Sequence, residues 1–185
     1  MTQASTDHSL RFHGTTILAV KDEEKVVVAG DGQVTLNNTV IKHNARKVRR
    51  IYNDTILVGF AGATADALTL TEKLEQKLER YNGILTRSAV ELARDWRADK
   101  YLRRLEALMI AVDKQSMLLI SGNGDVIEPD EGIVAIGSGG VAAQAAATAL
   151  CRQTQLDPRQ IVETSMKIAA SLCVFTNDQI TIEEL

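Results

Sequence analysis

The order of the predicted elements indicates a single α+β domain in which two β-sheets lie face to face, each covered outside by a helix pair. Strand-like runs come first, two helical segments follow, strands return, two more helices come next, and a short strand closes the chain. Segregated runs of strands and helices are typical of α+β domains, whereas regular alternation would favour a parallel sheet. The length of 185 residues suits one domain, and the sequence has neither an obvious linker nor an internal repeat.

The strand predictions rest on β-branched runs that are bounded by Gly, Asp and Asn. The Asn123-Gly124 pair lies between two such runs and predicts a tight hairpin turn. The predicted strands cover 15–20, 26–29, a run around Val40, 48–52, 55–61, 107–112, 117–121, 126–127, 133–136, 172–175 and 180–182.

Four helices are predicted from apolar spacing and from helix-start signals. In the first, over 64–81, leucines recur every fourth residue until Asn82-Gly83 ends it. The second begins near residue 86, where Ser88 and Glu91 have the spacing of a capping box. An Ala-rich helix follows over 141–154. Asp157-Pro158 then joins an N-cap residue to a proline at the first helical position, which predicts a last helix to about residue 171.

Composition and charge exclude several classes of protein. The net charge of -3 lacks the basic excess that nucleic-acid-binding proteins usually carry. No run of about 18 apolar residues is present, so we expect no membrane span. Cys151 and Cys173 are isolated and no secretory signal precedes them, which favours reduced thiols in a cytoplasmic protein. The three histidines lack zinc-site spacing, which argues against a zinc enzyme.

The junction between a polar leader, residues 1–14, and the first strand is the first candidate site. Gly14-Thr15 is suited to cleavage, which would leave Thr15 as a new N-terminus. A free α-amine has a pKa of about 7.7 to 8.0 and can serve as the base for its own hydroxyl. Taken alone, the pentapeptide from Phe12 to Thr16 favours an ordinary strand start over a nucleophile.

Two charged residues are candidates for supporting such a nucleophile. Asp31 lies between two glycines at a strand end, where a buried carboxylate can orient a cation, although a simple tight turn explains it too. Lys47 lies in a basic run, and a cation near a hydroxyl and an amine favours their deprotonated forms. The alternative for Lys47 is a solvated surface lysine.

Two glycine-containing turns before helices are candidates for contacts with the reacting groups. The N–H groups near Gly62 precede a helix and can face an oxyanion, unless glycine is there only for close packing. Ser138 belongs to Gly137-Ser138-Gly139-Gly140, which alone suggests phosphate binding at a helix N-terminus. The motif lacks the P-loop and dinucleotide patterns, which argues against a nucleotide site. Ser138 is also placed to hydrogen-bond a nearby N-terminal amine.

The order and spacing of these motifs are more specific than any one of them. The series GTT, VVVAGDGQ, NARKVRR, GFAGATADA, LARDWR, ISGNGDVIEP, AIGSGG and TIEEL resembles the proteasome-type threonine peptidases, in particular the peptidase subunits of bacterial ATP-dependent proteases. The likeness spans 15–185, and only the leader is unmatched.

The resemblance implies a four-layer αββα sandwich of the N-terminal-nucleophile hydrolase type, formed by one catalytic domain over 15–185 after removal of residues 1–14. It implies two stacked hexameric rings that enclose the active sites, and a hexameric AAA+ ATPase that binds ATP and feeds in unfolded protein substrates. Two rival functions remain open, namely a non-catalytic ring subunit and an amidase acting on a small molecule.

The resemblance also assigns roles to individual residues. Thr15 matches the nucleophile of an acyl-enzyme mechanism, Lys47 the lysine that tunes it, and Asp31 the supporting aspartate. Gly62 matches the oxyanion-binding position, and Ser138 the serine that supports the N-terminus. A sodium ion held by backbone carbonyl oxygens is implied at Ala170, Cys173 and Thr176.

Overall fold

A computed structural model describes residues 12–13, 15–23, 25–62, 64–100 and 107–185. The predicted leader falls mostly outside this set, since only its residues 12 and 13 are included. The strands are β1 Phe12–His13, β2 Thr16–Lys21, β3 Val26–Gly30, β4 Val34–Leu36, β5 Thr39–Lys42, β6 Val48–Ile51, β7 Ile56–Ala61, β8 Leu108–Val112, β9 Met117–Ser121, β10 Val126–Ile127, β11 Ile133–Gly137 and β12 Thr181–Glu184. The helices are α1 Thr64–Arg80, α2 Leu85–Ala98, α3 Gly140–Gln153 and α4 Pro158–Leu172.

Two antiparallel sheets form the centre of the domain. One has the strand order β10-β9-β8-β7-β6, and the other has the order β11-β2-β3-β12. A small third sheet, β1-β4-β5, extends from the second. In the four-stranded sheet Ile17 of β2 lies opposite Gly30 of β3, and Thr16 lies opposite Gly137 of β11. This register brings the start of β2, the end of β3 and the end of β11 to one edge of the molecule.

Alternation along the strands divides the core into three layers, because successive side chains point to opposite faces of a sheet. The middle layer lies between the sheets and includes Ile17, Ala19 and Leu57. One outer layer packs α1 and α2 on the five-stranded sheet around Trp96. The other packs α3 and α4 on the four-stranded sheet. This arrangement confirms the predicted pair of facing sheets with a helix pair on each outer side.

The helix ends agree with the sequence in one case and correct it in another. Asp157 caps α4 as predicted, since its carboxylate accepts the N–H groups of Arg159 and Gln160 in a capping box. The capping box predicted at Ser88 and Glu91 is wrong. Ser88 is fully buried inside α2, where its hydroxyl donates to the carbonyl of Ile84 at 2.8 Å. The helix begins at Leu85, as predicted to within one residue, and Leu85 belongs to its buried stripe.

The strand predicted over 172–175 is also wrong. Leu172 is the last residue of α4, and Cys173 begins a turn in which the N–H of Thr176 donates to the carbonyl of Cys173 at 3.0 Å. Leu172 and Val174 are both largely exposed, so the apolar run does not mark a buried strand. Among the described residues, none of the helices has the length and apolar character required to cross a membrane.

Candidate active site

Thr15 lies directly before β2, and the end of β11 holds its backbone. The N–H of Ser138 donates to the Thr15 carbonyl oxygen at 2.7 Å. Gly137, with φ of +90°, makes this approach possible, because a Cβ there would lie 1.9 Å from the same oxygen. The close contact therefore requires glycine at 137. Thr15 itself is only partly buried, so a second molecule can reach it.

Asp31 is buried and is fixed one residue away from Thr15. One carboxylate oxygen accepts the N–H of Thr16 at 2.7 Å, and the other accepts the N–H of Gln33 at 2.9 Å. The N–H of Asp31 in turn donates to the carbonyl of Thr16 at 3.1 Å. The tight-turn explanation of Asp31 is therefore incomplete, because its side chain joins β2 to the turn after β3.

Lys47 completes this group as a buried cation. Its ammonium lies 2.8 Å from Asp31 and donates to the carbonyl of Gln33 at 2.5 Å, and its side chain is only 8% exposed. Burial lowers the pKa of Lys47, and the charge and hydrogen bond of Asp31 partly oppose that shift. The prediction that Asp31 holds the ammonium of Lys47 in place is supported, and a freely solvated lysine is excluded.

The second threonine, Thr16, has its own buried contacts. Its hydroxyl lies 2.7 Å from the hydroxyl of Thr176, and the N–H of Gly139 donates to it at 2.9 Å. Thr16 is fully buried, so its hydroxyl is not available to attack a substrate. The choice of Thr15 over Thr16 as the reacting residue agrees with this burial.

Ser138 and Gly62 are less directly connected to Thr15. Ser138 is exposed, and the hydrogen bond that links it to Thr15 runs through its backbone N–H and not through the predicted side-chain contact. Gly62 is exposed at the end of β7, a strand that packs on β2 where Gly59 meets Ile17. With φ of +150° and a Cβ position 2.9 Å from Phe60, position 62 requires glycine, which keeps its N–H uncovered by a side chain.

The three positions predicted to hold sodium lie at the end of α4. Ala170 is in the last turn of the helix, Cys173 is the C-cap residue, and Thr176 closes the following turn. Backbone carbonyls at a helix C-terminus carry partial negative charge, and oxygen ligands suit a hard cation. Ala170 has helical geometry, which alanine adopts without strain. Oxygen donors of this type are therefore chemically suited to such an ion.

Two residues of this site were missed from the sequence. The side chain of Gln33 donates to the Thr35 hydroxyl at 3.0 Å and to the Val174 carbonyl at 2.9 Å, which fixes the carbonyl that Lys47 uses. The side chain of Asn177 accepts the N–H of Gly32 at 3.0 Å. Gln33 ends the motif VVVAGDGQ and Asn177 lies in none of the quoted motifs, but the contacts of both with Val174 and Gly32 join segments that are distant in the chain.

Comparison with known proteins gives consistent matches over nearly the whole chain. A family model described as "Proteasome subunit" matches residues 11–185. The "ATP-dependent protease subunit HslV" of Aquifex aeolicus is 61% identical over 95% of this chain and 100% of its own length. The protein of the same name from Syntrophobacter fumaroxidans is 60% identical over 94% of this chain and 97% of its own.

Two solved structures share the fold. The crystal structure of eukaryotic HslV from Trypanosoma brucei aligns with a TM-score of 0.88 at 49% identity, covering 92% of this chain and 98% of that one. Thiobacillus denitrificans BPH in complex with epoxomicin aligns with a TM-score of 0.70 at 16% identity, covering 92% and 97%. The second match is evidence for the fold alone.

Proposed function

The chain belongs to the proteasome subunit family and is a threonine-type peptidase of an ATP-dependent protease, and we propose that Thr15 is its nucleophile. The observation that carries this assignment is the hydrogen-bonded group around residue 15. Asp31 binds the N–H that follows Thr15, Lys47 is buried beside Asp31, and Ser138 holds the Thr15 carbonyl. Such a group fixes the position of Thr15 and places a cation near it.

The proposed reaction begins once the bond before Thr15 has been cut. The Thr15 Oγ attacks a peptide carbonyl carbon, and the free α-amine of Thr15 takes the hydroxyl proton. The Lys47 ammonium stabilises the deprotonated oxygen and the neutral amine. The N–H of Gly62 donates to the oxyanion, and the exposed Ser138 hydroxyl shares the proton of the amine.

The tetrahedral intermediate then collapses. The C–N bond of the substrate breaks, the leaving amine takes the proton from the Thr15 ammonium, and the acyl group stays on Oγ as an ester. A water molecule attacks the ester and gives its proton to the Thr15 amine. The C–O bond breaks, the product acid leaves, and the Thr15 hydroxyl is restored.

The residues before Thr15 indicate how a polypeptide would enter the site. Phe12 and His13 form β1, which pairs antiparallel with β4, so that Phe12 lies opposite Leu36 and His13 lies opposite Thr35. Once β1 is removed with the leader, β4 becomes an edge strand, and it can accept another extended segment through the same backbone groups. This pairing supports unfolded protein chains as substrates, because a folded protein has no free extended segment to offer.

We propose further that the subunits assemble as two stacked hexameric rings and that the hexameric AAA+ ATPase HslU docks on them. HslU would bind the ATP and supply unfolded chains to Thr15. The support is the family and the name "ATP-dependent protease subunit" of the relatives. Free cysteines at 151 and 173 agree with a cytoplasmic location. A sodium ion at the carbonyls of Ala170, Cys173 and Thr176 would stiffen the turn after α4.

The test is a set of threonine variants. Thr15→Ala should fold and assemble, and it should hydrolyse neither a short peptide nor casein, with or without the ATPase. Thr39→Ala, which changes an exposed threonine of β5, is the matched control and should keep full activity. Intact mass should show that the wild-type chain begins at Thr15.

The same experiment separates the rival functions. A wild-type chain that keeps residues 1–14 and has no activity would mean a non-catalytic ring subunit. Hydrolysis of a small amide without cleavage of casein in the presence of the ATPase would mean an amidase. Full activity of Thr15→Ala would overturn the proposed nucleophile.

A further inference from the structure

Asn177 occupies a junction between the two segments that carry Asp31 and Lys47. Its side-chain oxygen accepts the N–H of Gly32 at 3.0 Å, and its side-chain nitrogen donates to the carbonyl of His43 at 2.9 Å. A single amide group therefore connects the turn after β3 with the segment 43–47. Both of these hydrogen bonds end on backbone atoms, so they restrain the chain itself.

The two segments are in unusually close contact at this point. The N–H of Ala45 donates to the carbonyl of Gly32 at 2.9 Å. A Cβ at Gly32 would lie 2.3 Å from the His43 carbonyl oxygen and 2.9 Å from the Asn44 Cα. Glycine is therefore needed at 32 for the backbones to meet, and Asn177 closes the outer side of the contact.

We propose that Asn177 is a positioning residue of the active site, which holds the segment 43–47 against the Asp31 turn and so keeps the Lys47 ammonium buried beside Asp31. This inference rests on the proposed function, in which Lys47 acts on Thr15. Asn177 does not touch the reacting atoms. Its effect passes through the two backbone segments, and an amide, with an acceptor and a donor, can make both bonds.

The alternative is that Asn177 only shapes the turn after α4. Its backbone N–H approaches Asp31 at 3.5 Å, and its side-chain oxygen also accepts the N–H of Gln179 at 3.3 Å. These contacts would serve a purely structural role equally well. The hydrogen bond to His43 is different, because it leaves the turn and reaches the segment that ends at Lys47. The two explanations therefore differ in what happens to Lys47 when the amide is removed.

The titration of Lys47 reports how firmly the segment 43–47 is held. In the described part of the chain the charged group in contact with its ammonium is Asp31 in the facing turn, and exposed Arg46 precedes it in the sequence. Burial is the largest cause of the lowered pKa of Lys47. If the segment 43–47 loosens, water reaches the ammonium and the pKa of Lys47 moves back up toward the ordinary value of 10.5.

The experiment compares Asn177→Ala with Gln179→Ala in the assembled, processed enzyme acting on a short peptide. Gln179 carries the same amide on the same turn, and among the described residues its side chain hydrogen-bonds to Asp178 alone. Asn177→Ala should lower kcat about tenfold, which corresponds to the loss of a hydrogen bond or two, and should change KM little. In a plot of kcat against pH, the fall of activity on the alkaline side (the basic limb) should move to higher pH. Gln179→Ala should match the wild type in all three measurements.

A second variant keeps the test valid if Asn177→Ala assembles poorly. Asn177→Ser adds no charge and keeps a polar side chain, but its short hydroxyl cannot bridge Gly32 and His43, so it should assemble and still show the upward shift of the basic limb. Equal kcat and an unmoved basic limb in both Asn177 variants would overturn the proposal. Recovery of activity by sodium salts would overturn it as well, because the effect would then belong to the ion site at Thr176.

One further variant separates this inference from the proposed function. Lys47→Ala should be nearly inactive if Lys47 assists Thr15. If Lys47→Ala has wild-type activity, the proposed role of Lys47 fails, and the positioning role of Asn177 fails with it. If Lys47→Ala is inactive while both Asn177 variants behave like the wild type, only the role of Asn177 fails.

Discussion

The hydroxyls of Thr16 and Thr176 lie 2.7 Å apart, although 160 residues separate them in the chain. Thr16 directly follows the proposed nucleophile, and Thr176 closes the turn after α4. The N–H of Gly139 donates to the same Thr16 oxygen at 2.9 Å. Three separate segments therefore meet at one buried hydroxyl, and the position of Thr15 depends on that meeting point.

Thr16→Val should lower the free energy of unfolding by about 1 to 3 kcal/mol, because it leaves a buried N–H and a buried hydroxyl without a partner. The value should be measured by urea denaturation at one protein concentration. Thr16→Ser keeps the hydroxyl, so its free energy of unfolding should fall much less. Thr39→Val, on the exposed strand β5, should change stability by less than about 0.5 kcal/mol. An equal loss for Thr16→Val and Thr39→Val would show that the buried hydroxyl has no special role.

Gly139→Ala should reduce both stability and activity, because the new Cβ would lie 2.6 Å from the Thr16 Oγ1 and 2.7 Å from the Thr176 Oγ1. Both are short, buried side chains, so the turn itself must move, at a cost of about 1 to 3 kcal/mol. The activity should fall with it, because the neighbouring N–H of Ser138 holds the Thr15 carbonyl.

Gly140→Ala is the matched control for this prediction. Its Cβ would lie no closer than 3.4 Å to the nearest atom, the carbonyl carbon of Ala135, which is an ordinary contact. It is also the first residue of α3, where alanine favours the helix. Peptide hydrolysis and urea denaturation of both variants provide the measurement. Equal behaviour of the two would mean that contact with the threonine hydroxyls is unimportant.

The layers of the fold were predictable because they depend on local patterns. Alternating runs such as 15–20 and 55–61 specify which strand face is buried, and the leucine spacing of α1 specifies its stripe. The pair of Asp31 and Lys47 was also predictable, because a buried carboxylate requires a partner. The layers depend on patterns within each element, whereas the pair depends on matching a carboxylate with a cation 16 residues away.

What the sequence did not reveal depends on contacts between distant segments. Asn177 lies in no recognisable motif. Its side-chain amide bonds to backbone atoms of Gly32 and His43, and backbone atoms leave no signal in a sequence because every residue has them. The spacing of Ser88 and Glu91 matched a capping box, yet Ser88 lies inside α2, which begins at Leu85, and is fully buried there. Local spacing does not show whether a side chain will cap a helix or be buried inside it, because burial depends on the packing of the whole domain.

Asp31→Asn should move the basic limb of kcat/KM to lower pH. Burial lowers the pKa of Lys47, while the charge and hydrogen bond of Asp31 raise it, so removing the charge leaves burial less opposed. The proton is then lost from Lys47 at a lower pH. The amide of this variant would still present its oxygen to the N–H of Thr16, while its NH2 group could no longer accept the N–H of Gln33. The measurement is a pH profile of peptide hydrolysis.

Asp178→Asn is the control for this pH profile, because it removes an exposed carboxylate from the turn that also carries Asn177. Its basic limb should coincide with that of the wild type. An Asp31→Asn profile that moves to higher pH, or that does not move, would show that the basic limb reports a group other than Lys47.

Lys47→Met should destabilise the protein by about 3 to 5 kcal/mol at neutral pH, because it leaves the fully buried Asp31 without its cation. The difference in the free energy of unfolding between the wild type and Lys47→Met should also change with pH in a definite direction. The pKa of Lys47 is lowered in the folded state, so between that lowered value and 10.5 the unfolded chain binds a proton that the folded chain does not. Wild-type stability therefore rises with pH through this window relative to Lys47→Met.

Below the lowered pKa both states of the wild type carry the charge, and the cost of burying it is constant. Urea denaturation of both proteins at several pH values from 7 upward, a range of about 3 to 4 pH units, provides the measurement. Lys114→Met, which changes an exposed lysine on the turn before β9, is the matched control and should show no such dependence. The stability advantage of the wild type over Lys47→Met could instead fall with rising pH. That result would mean that the ion pair with Asp31, and not burial, dominates the titration of Lys47.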